Sequence, residues 1–307
     1  MKIAVIFGGT SSEREVSLSS GKGIIEALKK KGHDVIGLDF QGTRDCINQI
    51  INLDVEVIFI GLHGRLGEDG RIQGLLDLLK IPYVGSEVLG SALAMDKTRS
   101  KKMFGLKGIR IANEKVVEKY SFVKQDFSHS LDYPVVVKPN HEGSTIGLTI
   151  AQNKAELLTG IKAAFDHDHV VLLEEFISGR EVTIAVLGNK GSTKALPIVE
   201  IVPKNAYYDY ESKYAPGMSE HIVPAKLSDE MTNLLQAQAV IAHNSLGCDI
   251  YSRVDFIIPH DGLAPVILEV NTLPGMTPTS LYPDAAKEMG LSYEDMIDTL
   301  VKLSLKK

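Results

Sequence analysis

Arg253-Val-Asp255-Phe256 and Leu268-Glu269-Val-Asn271-Thr272-Leu-Pro-Gly275 are two short apolar runs, each carrying polar residues two positions apart. Between them, His260-Asp261-Gly262 supplies the Asp-Gly signal of a hairpin turn. Alternate residues of a strand face the same side. Arg253 and Asp255 therefore share one face, Glu269 and Asn271 share one face of the next strand, and the turn brings the pairs together. The resulting patch holds two carboxylates, an amide oxygen and a guanidinium. Hard oxygen donors of this kind suit Mg²⁺, which takes a few carboxylates and fills its shell with water and phosphate oxygens. An arginine beside such an ion makes chemical sense where a polyphosphate lies between them and both cations neutralise the transferring group. From spacing alone, solvent-facing charges on an amphipathic hairpin are an equal reading. The Pro- and Gly-rich turn from Thr272 to Leu281 is suited to offering N–H groups to an anion and favours the functional one.

Outward from this hairpin, the chain alternates between strand and helix signals. Ile3–Phe7 is a short apolar run stopped by Gly8-Gly9, the pattern of a buried parallel strand. Helical spacing follows from Val16 to Lys30, then strands at Asp34–Leu38 and Val55–Leu62, a helix at Gln73–Leu79 and an extended piece at Pro82-Tyr83-Val84. This predicts an α/β unit with a mainly parallel sheet over residues 1–86. One helix is expected over Ser91–Phe104. Extended segments at Val135–Lys138, Thr145–Ile150 and Val170–Phe176, with a helix at Lys154–Phe165, indicate a smaller α+β unit over residues 87–179. Residues 180–307 pair strands at Glu181–Leu187 and Ala195–Val202 with a helix at Ser228–Ser245 and the opening hairpin.

The chain has 307 residues, 44% of them apolar and 23% charged, which fits several folded units and no long disordered stretch. A net charge of −6 argues against bulk attraction to nucleic acid or anionic membrane. The two cysteines, Cys46 and Cys248, form no CxxC pair, so a disulfide framework or cysteine-ligated zinc is not expected. Ile3–Phe7 is too short for a signal-peptide core, and no later run has the apolar length to cross a bilayer, so a cytoplasmic protein is expected.

Neither the P-loop pattern nor Gly-x-Gly-x-x-Gly spacing occurs. A different nucleotide site is available. Val135-Val-Val-Lys138-Pro is a buried strand ending in lysine, a costly placement unless the ammonium meets an anion. It leads into Asn140-His-Glu-Gly143-Ser144-Thr145-Ile-Gly147, whose small residues suit a loop that closes over phosphates, although a plain hairpin is an equal reading. Glu174-Glu175-Phe176-Ile177 at a strand end fits an adenine clamp, a carboxylate taking the exocyclic amine between apolar walls. Tyr207-Tyr-Asp-Tyr-Glu-Ser-Lys213-Tyr214 is too polar for a core strand and reads as a loop.

Glu269-Val-Asn271-Thr-Leu-Pro-Gly275-Met-Thr, followed by Ser280-Leu281, resembles the C-terminal signature of D-alanine–D-alanine ligases of the ATP-grasp superfamily. Similar blocks stand at Gly8-Gly9-Thr-Ser-Ser-Glu13-Arg-Glu-Val-Ser, at His63-Gly-Arg-Leu-Gly-Glu68-Asp-Gly and at Met95-Asp96-Lys97, so the resemblance spans nearly the whole chain. It implies an N-terminal parallel-sheet domain before a two-subdomain α+β ATP-grasp fold, a homodimer, and synthesis of D-alanyl-D-alanine from ATP and D-alanine through a D-alanyl phosphate. It implies two Mg²⁺, or Mn²⁺ as a substitute, on Asp255, Glu269 and Asn271. It assigns Glu174, Phe176 and the Ile177 backbone to adenine, Glu181 to ribose, and Lys97 and Lys138 to phosphates, with Ser144 also among the nucleotide-binding residues. Glu13 holds the first ammonium with His63 nearby, and Ser280 and Leu281 receive the second carboxylate. Arg253 and the Gly275 N–H face the developing oxyanion. The resemblance also makes Tyr207–Tyr214 a mobile loop whose Lys213 reaches the γ-phosphate and the second carboxylate. Tyr214, Ser144 and Glu13 form a hydrogen-bonded triad, and Lys213-Tyr214 keeps the pair of the alanine-specific members. His141, where relatives often carry arginine, and Thr145, in place of a second serine, depart from the pattern.

Overall fold

The computed structural model describes residues 1–122, 127–203 and 219–306. Three sheets form among them. The first has the order β2-β1-β3-β4, from Asp34–Phe40, Lys2–Gly8, Val57–Ile60 and Tyr83–Val84, and is parallel throughout. The central strands β1 and β3 are continuous apolar runs because both their faces are covered: Ile3, Ala4, Val5 and Ile6 are fully buried, whereas the edge strand β2 is mixed. The helices α1 (Arg14–Lys30), α2 (Arg44–Ile51) and α3 (Arg71–Leu79) belong to this layer. Thr43 caps α2 by accepting from the Cys46 N–H at 3.3 Å, a start that the apolar periodicity does not announce.

The second sheet has the order β5-β8-β6-β7, from Glu114–Glu118, Val170–Glu175, Val135–Pro139 and Thr149–Ala151, and is antiparallel. One helix, α6 (Lys154–Ala164), covers it, capped by Asn153, which accepts from the Ala155 and Glu156 N–H groups. The extended reading of Thr145–Ile150 holds only from Thr149 onward. Residues 143–147 form turns instead, with Ser144 at φ 51 and Thr145 at φ 64.

The third sheet, order β11-β10-β9-β12-β13, is built from Ser219–Ile222, Lys194–Pro203, Gly179–Gly188, Ile250–Pro259 and Val266–Asn271. One face packs against α4 (Val88–Met95), α5 (Lys97–Leu106) and α7 (Asp229–Ser245), and the other shares a core with the first sheet. The single helix expected over 91–104 is therefore two. Asp96 has extended backbone, and its carboxylate accepts from the Arg99 N–H at 3.0 Å, capping a new helix rather than continuing the old one. Residues 281–304, beyond the hairpin signals, form α8 (Leu281–Glu288) and α9 (Tyr293–Ser304). The last of these packs on α1, with Lys30 meeting Glu294 and His33 meeting Asp298, both at 2.8 Å. Among the described residues no helix is long and apolar enough to cross a membrane.

Candidate active site

The hairpin pairs Arg253 with Asn271 and Asp255 with Glu269, directly across β12 and β13. Its turn, residues 260–265, is longer than a two-residue hairpin, with Gly262 at φ 78. The Arg253 guanidinium donates to both Asp255 oxygens, at 3.0 and 2.9 Å, and the Asn271 amide donates to Oδ2 at 2.9 Å. Thr183 on β9 adds a fourth bond at 2.5 Å, so this carboxylate is held in one orientation. A register shift after Asp255 places Phe256 opposite Ile267 and leaves Leu268 as the extra residue of a bulge. As a result Leu268 and Glu269, adjacent in sequence, both line the same slot.

That slot lies between the second and third sheets. Its apolar walls include Val136, Ile150, Phe176, Ile177, Ile257 and Leu268, and its charged lining includes Glu174, Glu181, Lys97 and Lys138. The structure thus brings together the described residues that the resemblance assigns to the nucleotide; Lys213, assigned to the γ-phosphate, lies outside the described residues. A lysine that the strand patterns leave unassigned stands behind Glu174, outside the lining. Lys101, 1% exposed, reaches Glu114 at 2.8 Å and Glu174 at 2.6 Å, and Lys138 reaches the other Glu174 oxygen at 2.7 Å. Although burial alone opposes ionisation, the two ammonium groups bring the Glu174 carboxyl down to about 2. Burial pushes Lys138 below the ordinary lysine range, whereas the two carboxylates raise Lys101 against its own burial. The signal for Lys101 is its helical spacing from Lys97, which places the two ammonium groups on one face of α5. Lys97 itself contacts the Glu142 carbonyl at 2.6 Å and Glu269 at 3.1 Å.

A second, more polar cavity of about 430 Å³ opens on the other side of Glu269. It is lined by Glu13, His63, Arg253, Asn271, Gly275, Ser280 and Leu281. Glu13 precedes α1 but makes no side-chain cap, so its carboxylate is turned to the cavity, where it accepts from the Ser144 hydroxyl. Ser280 precedes α8 and accepts from the Thr277 N–H at 3.1 Å, leaving the start of that helix open to the cavity. The Ser144 end of the expected triad is thereby placed; Lys213 and Tyr214 lie outside the described residues.

His63 is buried with both ring nitrogens engaged. Nδ1 faces the Leu273 carbonyl at 2.9 Å, which fixes the proton there, and Nε2 accepts from Ser20 at 3.1 Å. Burial lowers its pKa, in keeping with a neutral ring. Its contribution to the cavity is ring surface and the placing of Leu273, not a free nitrogen. Glu68, a lining residue without an expected role, accepts from the Gly64 N–H at 2.7 Å and the Leu273 N–H at 3.2 Å. Burial, with Glu13 and Glu269 nearby, pushes its carboxyl up to about 8. Its signal was the Gly-rich block after His63 that must turn back on itself.

Glu269 and the Asn271 oxygen are hard donors at the junction of the two cavities, a set suited to magnesium held jointly with phosphate oxygens, and Asp255 beside them would join it by exchanging one of its four donors for the ion. Asn271 gives its amide N–H to Asp255 and so keeps its oxygen available. Among the described residues, no group of three or more His, Cys, Asp or Glu side chains forms a metal cage.

Comparison with known proteins gives one family. The family model for the D-ala D-ala ligase C-terminus matches residues 105–302, and that for the N-terminus matches residues 2–49 and 41–86. A D-alanine–D-alanine ligase of Halalkalibacterium halodurans is 66% identical over the full length of both chains. One from Syntrophotalea carbinolica is 47% identical over 98% of this chain and 95% of its own. Among solved structures, the D-alanine–D-alanine ligase of Bacillus anthracis complexed with ATP superposes with a TM-score of 0.83 at 32% identity, covering 100% of this chain and 98% of that one. The VanG D-Ala:D-Ser ligase of Enterococcus faecalis gives 0.82 at 33% identity, covering 99% of both. On these matches and the two-cavity geometry, the chain belongs to the D-alanine–D-alanine ligase family.

Proposed function

We propose that the chain joins two D-alanines into D-alanyl-D-alanine, driven by ATP and releasing ADP and phosphate, for the synthesis of peptidoglycan precursors. The observation that carries this reading is the meeting of the two cavities: Gly143, Ser144 and Glu269 line both. A nucleotide in the apolar slot would present its terminal phosphate at this junction, beside amino acids held in the polar cavity. The loop that bears Ser144 would limit water access there once phosphates are bound.

A carboxylate is a poor electrophile, so phosphorylation of the first D-alanine supplies a leaving group. The amine of the second D-alanine attacks the acyl phosphate, and phosphate departs from the tetrahedral intermediate. Glu13 takes the first ammonium. Arg253 and the Gly275 N–H stabilise the oxyanion. Ser280 and the Leu281 N–H receive the second carboxylate, where the α8 dipole also favours an anion. Lys97 and Lys138 meet the phosphates, Glu174, Phe176 and Ile177 the adenine, and Glu181 the ribose. Lys213 and Tyr214 keep the roles that the family resemblance implies. Asp255, Glu269 and Asn271 would hold two Mg²⁺, with Mn²⁺ as a substitute, and the ions would offset charge on the phosphate oxygens. A cytoplasmic homodimer completes the proposal, its subunit number readable by light scattering.

The test is phosphate release with D-alanine alone, then with D-alanine plus D-serine or D-lactate, with products identified by mass. D-Alanine alone should support full turnover and remain the preferred second substrate. Phosphate release that needs D-serine or D-lactate would overturn the assignment.

A further inference from the structure

We propose that His141 is a positioning residue for the nucleotide phosphates: a cationic clasp that fixes the start of the phosphate loop, residues 140–147, to the helix bearing Lys97. The inference rests on the nucleotide reading of the slot. His141 does not line that slot but the neighbouring cleft, so it acts through what it holds.

The ring lies between two carboxylates, which together favour its charged form. Nδ1 lies 2.8 Å from Asp168 Oδ2, and Nε2 lies 3.2 Å from Asp96 Oδ2. Ionised carboxylates only accept, and a neutral imidazole donates from one nitrogen only, so satisfying both carboxylates takes the imidazolium; the Asn140 amide nitrogen, 3.0 Å from Nε2, is the competing contact that a neutral ring would accept. The backbone N–H of His141 adds a bond to Asp168 at 2.8 Å. Each partner leads to a different element. Asp168 precedes β8, while Asp96 caps α5, whose first residue is Lys97.

The neighbouring residue ties the same two pieces together. Asn140 accepts from the Thr98 N–H and hydroxyl, each at 2.8 Å, and its carbonyl accepts from the Lys97 N–H at 3.3 Å. Lys97 then reaches the Glu142 carbonyl inside the phosphate loop. The clasp therefore sets the distance between the loop and Lys97, the two parts between which phosphates would lie. Exposed ion pairs contribute little to global stability, so the consequence is local.

The charged surroundings sustain the imidazolium. From α5 come Asp96 and Arg99, which pair with each other. From the connection before β8 come Asp166, His167, Asp168 and His169, and Glu142 follows on the loop itself. Across the cleft stand Arg65, Lys119 and the Asp69–Arg71 pair. The two bonded carboxylates prevail and hold the ring at about 9. Because the pKa is raised, the charge is complete at neutral pH and is lost as pH rises through about 9.

The experiment measures kcat and the ATP KM of the full chain between pH 7 and 10 for the wild type, His141→Ala and His141→Arg, with calorimetric titration of ATP in the absence of D-alanine. At pH 7, His141→Ala should raise the ATP KM about tenfold and weaken ATP binding in parallel, with kcat changed less than about twofold. The wild-type KM should climb toward the alanine variant's value above pH 9, and His141→Arg, permanently charged, should keep a low KM without that climb. An alanine variant that binds ATP like the wild type, or an arginine variant that climbs as the wild type does, overturns the clasp. A wild type that does not bind ATP overturns the nucleotide reading itself, a distinguishable result.

Discussion

Ser144 donates its hydroxyl to Glu13, a bond that joins the phosphate loop to the start of the first helix across the mouth of the polar cavity. Ser144 and Thr145 are consecutive non-glycine residues in the left-handed region, at φ 51 and 64. Such backbone costs on the order of 1–3 kcal/mol per residue and persists where surrounding contacts enforce it. The Glu13 carboxylate is one of those contacts, so loop shape and first-substrate recognition share a single group.

Ser144→Ala should therefore lower kcat/KM for D-alanine by roughly ten- to a hundredfold while leaving the ATP KM within about threefold. Glu13→Gln should cost at least as much, because it also removes the charge facing the first ammonium. Initial-rate kinetics with each substrate varied in turn checks both. Unchanged D-alanine kinetics in Ser144→Ala would show that the bond has no part in recognition.

Glu269→Ala should abolish measurable turnover while the chain stays folded. Glu269 lines both cavities and pairs with Lys97 at 3.1 Å, so its removal takes away an oxygen donor at the junction and leaves Lys97 one partner fewer. Phosphate release, read beside a circular dichroism melt, separates loss of chemistry from loss of fold. Full activity in this variant would refute the magnesium assignment.

The hairpin that carries Glu269 was legible because strand periodicity is local: two-apart spacing put Arg253 with Asp255 and Glu269 with Asn271, and the register pairs them. The bulge at Leu268 was not, since it depends on how the neighbouring strands twist. Asp96 was read as helix interior because it lies between two helical runs, and only its bond to the Arg99 N–H shows the break. Thr183 escaped because its partner Asp255 lies on another strand, and the local traces of Glu68 and Lys101, a Gly-rich turn and a helical spacing, say nothing of their distant partners Leu273 and Glu174. The resemblance reached the site residues that periodicity could not, such as Glu13 and Ser144, which meet only after folding.

Lys101 should matter for stability more than its position on a helix suggests. It is 1% exposed and bonds two carboxylates, one of them Glu174. Breaking a buried pair by removing one partner typically costs about 3–5 kcal/mol. Lys101→Met should lose stability of that order by urea unfolding, and adding Glu174→Gln should restore part of it. Because the Glu174 carboxyl is depressed to about 2, its stabilisation is present above its ordinary value of 4.5 and is lost as pH falls from there toward 2. The double variant should show a shallower acid limb; equal limbs would place the effect elsewhere.

His243 sets a second pH window. It lies in the last turn of α7, where the helix dipole favours a cation, yet burial outweighs the dipole and lowers the ring to about 4. Its Nδ1 meets the Ser252 hydroxyl at 2.7 Å, and among the described residues no carboxylate offsets its burial. The sign follows from the lowered value. The unfolded chain takes up the proton near its ordinary 6.5 and the folded chain only near 4, so stability is level above 6.5, falls between these values, and levels again below. The loss assigned to this one group is roughly 3 kcal/mol, at about 1.4 kcal/mol per pH unit. His63, also lowered by burial, adds loss of the same sign. His243→Asn keeps a polar partner for Ser252 without a titrating ring. Its urea midpoint should fall less than that of the wild type between pH 7 and 4.5, the comparison being made between the two proteins because His63 adds loss in this window while Glu68, raised to about 8, contributes the opposite slope. A variant as steep as the wild type would show that His243 does not control acid sensitivity in this window.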